Sequence, residues 1–119
     1  MNSPELQEVA AQIATHMEMN TPRIEKCLAE LSETEIWQRP GPGSNSVGNL
    51  ILHLCGNITQ YVLSSLGGAP DQRARDEEFG AQGGFGKKEL LEKLQGTVQE
   101  AVQIIRRADR EEMLRERTV

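Results

Sequence analysis

The chain is predicted to be an all-α, up-and-down bundle of three long helices and a short one. Two observations carry that prediction. Apolar residues recur at three- and four-residue steps, while the strict alternation of a half-buried strand is absent. Runs of proline and glycine at 39–43 and 67–68 then close the periodic stretches. With 119 residues, one domain spanning 1–119 is expected, with a modest core.

Residues 5–31 read as the first helix. Leu6, Val9, Ile13, Met17, Ile24, Cys27, Leu28 and Leu31 keep helical phase. Pro22 interrupts them, since it lacks an N–H and crowds the preceding turn. Either one helix kinks there, or Thr21 caps a new helix with Pro22 at its first position. The kink is favoured because the phase continues to Ile24. Ser32 and Glu35 form a capping-box pair that should start a short helix carrying Ile36 and Trp37. Arg39-Pro40-Gly41-Pro42-Gly43 ends it.

The second long helix spans 46–66, capped by Ser46 or Asn45. Its apolar stripe is Val47, Leu50, Ile51, Leu54, Ile58, Tyr61, Val62 and Leu66, and Gly67-Gly68 closes it. Residues 67–86 have no periodic pattern. A connection of this length is functional or loose, and Phe79 and Phe85 are placed to pin it. The third long helix runs from 87 to 115, with Leu90, Leu91, Leu94, Val98, Ala101, Val102 and Ile105 on its buried face.

Composition excludes several classes. The net charge of −5 argues against a nucleic-acid partner. Basic residues near the C-terminus alternate with acids, as a solvated helix face does. No apolar run approaches the length of a membrane span, and no secretory leader is apparent, so no membrane and a cytoplasmic location are expected. Cys27 and Cys55 lie in apolar helical stretches and are expected to be buried free thiols.

Polar residues placed on apolar seams are the candidates for chemistry. Val9, Ile13, His16, Asn20, Ile24, Cys27 and Leu31 step by three and four, which makes a bundle seam with His16 and Asn20 inside it. Asn49, His53, Asn57 and Gln60 form a polar ridge beside Leu50 and Leu54. Buried polar groups need partners, because each one left unpaired costs about 1–3 kcal/mol. Metal ligation is one solution; hydrogen bonding within the bundle or to water is another. There is no local His-x-x-x-His or Cys-x-x-Cys pair. Cys55 is too close in sequence to His53 to share its helix face, and the Gly-rich 80–86 stretch lacks the ending of a phosphate loop. Trp37 is expected to cap the core.

Three stretches carry a family resemblance: Arg23-Ile24-Glu25-Lys26-Cys27-Leu28, Ile36-Trp37-Gln38-Arg39-Pro40, and Ser44 through Asn57 around His53. With Gly67 to Arg73, Arg75-Asp76 and Phe79, they resemble the DinB-like superfamily, closest to a subfamily labelled as of unknown function. The resemblance implies a four-helix bundle, commonly a dimer, holding a divalent metal (nickel, zinc or manganese) through three histidines. It implies thiol-dependent transferase or hydrolase-like chemistry on a small-molecule or thiol ligand in some members. His53 matches the first metal ligand. The other two come from a His-x-x-x-His pair on a last helix that this chain does not contain, so the ligand set is incomplete and the bundle is expected to lack a helix. A non-catalytic dimerising module is the leading expectation, and a metal-dependent enzyme the alternative. The missing helix should expose an apolar groove, with the stripe of the third long helix at its edge. A homodimer would cover it, possibly by exchanging a helix across 67–86. His16, expected on the inner face of the first helix, is a candidate improvised metal partner for His53, though the resemblance gives it no role.

Overall fold

The computed structural model describes residues 4–115, so both ends of the expected 1–119 domain lie outside the described residues. The described residues form an all-α bundle without strands, as predicted. Helix α1, Pro4–Ala29, runs unbroken through Pro22. A Thr21 hydroxyl that donates to the Met17 carbonyl at 3.1 Å accompanies the proline. The Ser32/Glu35 box forms as expected. The Ser32 N–H donates to the Glu35 carboxylate at 2.9 Å, and the Glu35 N–H donates to the Ser32 hydroxyl at 3.1 Å. The first of these bonds is the main cause holding the Glu35 carboxyl below its ordinary range. The pair opens a 3₁₀ turn, Glu35–Trp37, which buries Ile36 completely.

Helix α2 is Val47–Ile58 and widens into a π-helical turn at Thr59–Ser64. Ser46 is its cap. Gly48 lies directly under the Trp37 ring, where an added Cβ would come within 2.6 Å, so Trp37 seals this end of the core as predicted. Gly68, at φ 81°, takes the left-handed conformation that ends the segment.

Two boundaries differ from the sequence expectation. The 67–86 connection contains a short helix, α3 (Arg75–Gly80), too brief to show a periodic stripe. The third long helix, α4, covers Lys87–Arg107 and stops eight residues early. Asp109 ends it by capping a separate short helix, α5 (Arg110–Leu114); its carboxylate accepts from the Glu112 N–H at 2.8 Å. Local side-chain capping outcompetes continuation of the helix there.

Both α1 and α2 pack on α4. Leu90, Leu94, Val98, Ala101, Val102 and Ile105 are all buried, and Leu91 is half-buried against them. The expected groove therefore does not run along α4, because α1 and α2 cover its stripe. The seam expected on α1 is corrected in part: Met17, Ile24 and Leu31 pack against the core as expected, but the rest of it does not. The buried residues of the helix are Ala10, Ala14 and Leu28. Val9 and Ile13 are 51% and 45% exposed. His16, Asn20 and Cys27 are exposed as well. The reason is geometric: one residue step turns a side chain by about 100° around the helix. Alanines let α1 approach α4 closely, and Val9 and Ile13 beside them are left outside.

Candidate functional site

Two features stand out, and both involve α2. The first is a polar clasp between α2 and the 67–86 connection. Asn49 begins it. Its side-chain oxygen accepts from the Ser46 N–H at 3.0 Å and the Ser46 hydroxyl at 2.8 Å, completing the helix cap. Its side-chain nitrogen donates to the carbonyls of Glu78 and Ala81 at 2.9 and 2.7 Å. Asn49 is fully buried, so one amide ties the start of α2 to the end of α3 with its hydrogen-bonding groups satisfied.

One turn on, His53 meets Arg73 and Glu78. The Arg73 guanidinium donates to both Glu78 carboxylate oxygens at 3.2 and 3.1 Å, and to the Gln60 side-chain oxygen at 2.8 Å. It also lies 3.0 Å from His53 Nδ1. Arginine has no acceptor. That contact therefore requires a lone pair on Nδ1, and places the proton of the neutral ring on Nε2. Glu78 Oε1 lies farther from Nδ1, at 3.5 Å. Arg73 and Glu78 side chains keep only 9% and 11% of their exposure, while His53 keeps 31%. The Phe79 ring lies 4.7 Å from the His53 ring, and Arg75 lies over Phe79 at 5.6 Å. Arg39 donates to the Phe79 carbonyl at 2.7 Å. Gly56 makes the fit: a Cβ there would come within 1.8 Å of the Glu78 carboxylate. Beside the clasp is a cavity of about 350 Å³ whose lining includes Cys55, Thr59, Glu77, Glu78, Phe85 and Lys93.

The polar ridge expected from sequence is thus real at Asn49, His53 and Gln60, each bonded to the connection. Arg73 and Glu78 were not foreseen. The available signal was the length of the connection and the opposite charges within it. Phe79 pins it as expected, whereas Phe85 remains 36% exposed and contributes its carbonyl to the Trp37 indole N–H at 3.0 Å.

As a metal centre the clasp is a poor fit. Among the described residues, no three His, Cys, Asp or Glu side chains gather around one point. A cation at Nδ1 would face the Arg73 guanidinium; only the Nε2 side of the ring is suited to one. His16 stands apart on the outer strip of α1 beside Val9, Ile13 and Met17. Cys27, expected to be buried, is exposed; Cys55 is buried, and that burial pushes its thiol above the ordinary range.

The second feature is an apolar face. A groove of about 440 Å³ opens between α1 and α2, lined by Ile24, Cys27, Leu31, Val47, Leu50 and Leu54 among others. Leu50 and Leu54 are 52% and 36% exposed. The face continues along α1 through Asn20 and His16 to Ile13 and Val9. No described helix is long and apolar enough to cross a membrane.

Residues 5–119 match the family described as protein of unknown function DUF1572, and the chain belongs to that family. No curated protein and no solved structure matches it.

Proposed function

We propose that this member of the DUF1572 family is a DinB-like helical module that acts by assembly, completing its bundle with a second copy of itself, and has no chemistry of its own in this form. The uncovered α1/α2 face carries the reading. Val9 and Ile13 lie at one end of it and Leu50 and Leu54 at the other, with Asn20 between them, and each of the four apolar residues is more than a third exposed. Fully burying such a side chain is worth about 1.5–3 kcal/mol. An apolar surface of this extent usually marks an interaction site. The resemblance to DinB-like bundles supports it further, since those are commonly dimers. Sedimentation at micromolar concentration tests it: a dimer is expected, and a non-aggregating monomer of 13.2 kDa overturns it.

A second reading, a metal-dependent thiol transferase or hydrolase-like enzyme, is favoured by one observation. The Glu78 carboxylate beside His53 Nδ1 is the type of partner that orients a metal-ligating imidazole through its other nitrogen. On this reading His53 holds nickel, zinc or manganese through Nε2, after Arg73 gives up Nδ1 to Glu78, and further ligands come from another chain. Metal would assist by lowering the pKa of a bound thiol or water. Stoichiometric metal in the purified protein, lost in His53→Ala with helicity unchanged, is the expected signature. Metal content unaffected by that substitution rejects His53 as a ligand.

A further inference from the structure

The uncovered strip of α1 has a symmetry of its own. Its residues are Val9, Ile13, His16, Asn20, Ile24 and Cys27, with Leu31 just past the helix end; Ile24 and Leu31 are half-buried against the core and the others are exposed. Their spacing is four, three, four on either side of Asn20, the same in both directions. A two-fold axis through Asn20 therefore brings Val9 opposite Leu31, Ile13 opposite Cys27 and His16 opposite Ile24, while Asn20 meets its own copy. The tertiary structure makes the two halves different in shape. On the Ile24–Leu31 half, α2 stands alongside and forms the groove with Leu50 and Leu54. On the Val9–His16 half, α1 alone lines the surface. One half is a groove and the other a bare ridge, and reversing the second helix sets each ridge against a groove.

We infer that two copies of this chain pair through α1 in antiparallel register about Asn20, each laying Val9 and Ile13 into the other's α1/α2 groove. This rests on the assembly reading above and adds the partner's orientation and contacts. The dimensions suit it. Residues 9–31 span about 33 Å at 1.5 Å per residue. Two neighbouring helices present a width of about 20 Å. With α2 alongside over only half of that length, the footprint is on the order of 500 Å² per chain, or about 1,000 Å² in all, at the threshold for a specific interface. The polar centre favours this register: an Asn on a largely apolar seam favours an alignment in which it meets a polar partner. In the antiparallel pair, two Asn20 amides can donate to and accept from each other. A slip by one turn in one direction would set each Asn20 against Ile24, and in the other against His16, so either slip loses the symmetric Asn20 pair.

Cysteine placement makes the register readable. In the antiparallel pair the two Cys27 residues are separated by fourteen helical positions, about 21 Å along the helix axis, whereas in a parallel pair they adjoin. The full-length chain at micromolar concentration is treated with a bismaleimide of about 8 Å span, a reach set against that axial separation. Asn20→Cys in a Cys27→Ser background is expected to convert largely to a covalent dimer. Ile13→Cys, with Cys27 retained, is expected to cross-link too, and the unsubstituted chain is not. If sedimentation shows a dimer but the unsubstituted chain cross-links through Cys27, or Asn20→Cys does not, the register is wrong while assembly stands. If sedimentation shows only monomer, the register and the assembly reading fall together, and the face belongs to a different partner.

Discussion

The clasp and the apolar face share helix α2 but resolve its amphipathicity in opposite ways. On the clasp side, Asn49, His53 and Gln60 are each bonded to the connection, and Arg73 and Glu78 form a part-buried ion pair over Gly56. On the other side, Leu50 and Leu54 meet no covering element within the described residues. A buried polar group needs specific partners, and here the chain supplies them. An exposed apolar strip needs only another apolar surface, which a second chain can provide. The contrast teaches that the polar half of this helix is fixed within the chain, while its apolar half is left uncovered among the described residues.

Substitutions can break that contrast. The largest effect on folding is expected from Arg73→Ala. It leaves the part-buried Glu78 carboxylate without its guanidinium; breaking a fully buried pair costs about 3–5 kcal/mol, and for this part-buried one a loss of about 1–3 kcal/mol is expected. Urea denaturation should show that loss, with rapid proteolysis within 67–86; a change below 1 kcal/mol would mean that the clasp is not structural. Ile13→Glu should act on the other side only. Ile13 is largely exposed in the single chain, so its stability should hold. Two copies of the substitution enter a symmetric interface, so association should weaken by about 3 kcal/mol or more, roughly a hundredfold in affinity. Stability and association falling together would mean that the two regions are not separable.

The thiols give the smallest effect and the sharpest comparison. Alkylation should label Cys27 in the dilute chain, spare the buried Cys55, and slow at Cys27 as concentration rises. Cys55 should also make stability fall slightly at alkaline pH. Its folded pKa lies above the unfolded one, so its contribution is complete below the ordinary thiol range and is lost as pH rises through the folded value. Equal labelling of both thiols at low concentration would contradict the burial described here.

Much of this molecule could be read from residues alone. The three long helices follow from apolar periodicity, the Ser32/Glu35 box from its spacing, and the polar ridge on α2 from Asn49, His53 and Gln60 recurring on one helix side. These are local properties, decided by backbone geometry within a few residues. Other features required the packed structure. The neighbour of a ridge residue is set by how the connection folds back, which is why Arg73 and Glu78 were not legible as partners of His53. The face of α1 turned inward was a competition between Ala10 and Ala14 on one side and Val9 and Ile13 on the other. Periodicity scores the larger apolar residues, whereas close approach to α4 selects the smaller ones. Sequence alone therefore determined that α1 has an apolar stripe with His16 and Asn20 at its middle. Tertiary packing decided that Val9 and Ile13 face outward while Ile24 and Leu31 stay half-buried against the core, because α4 took the face of α1 that packs closest.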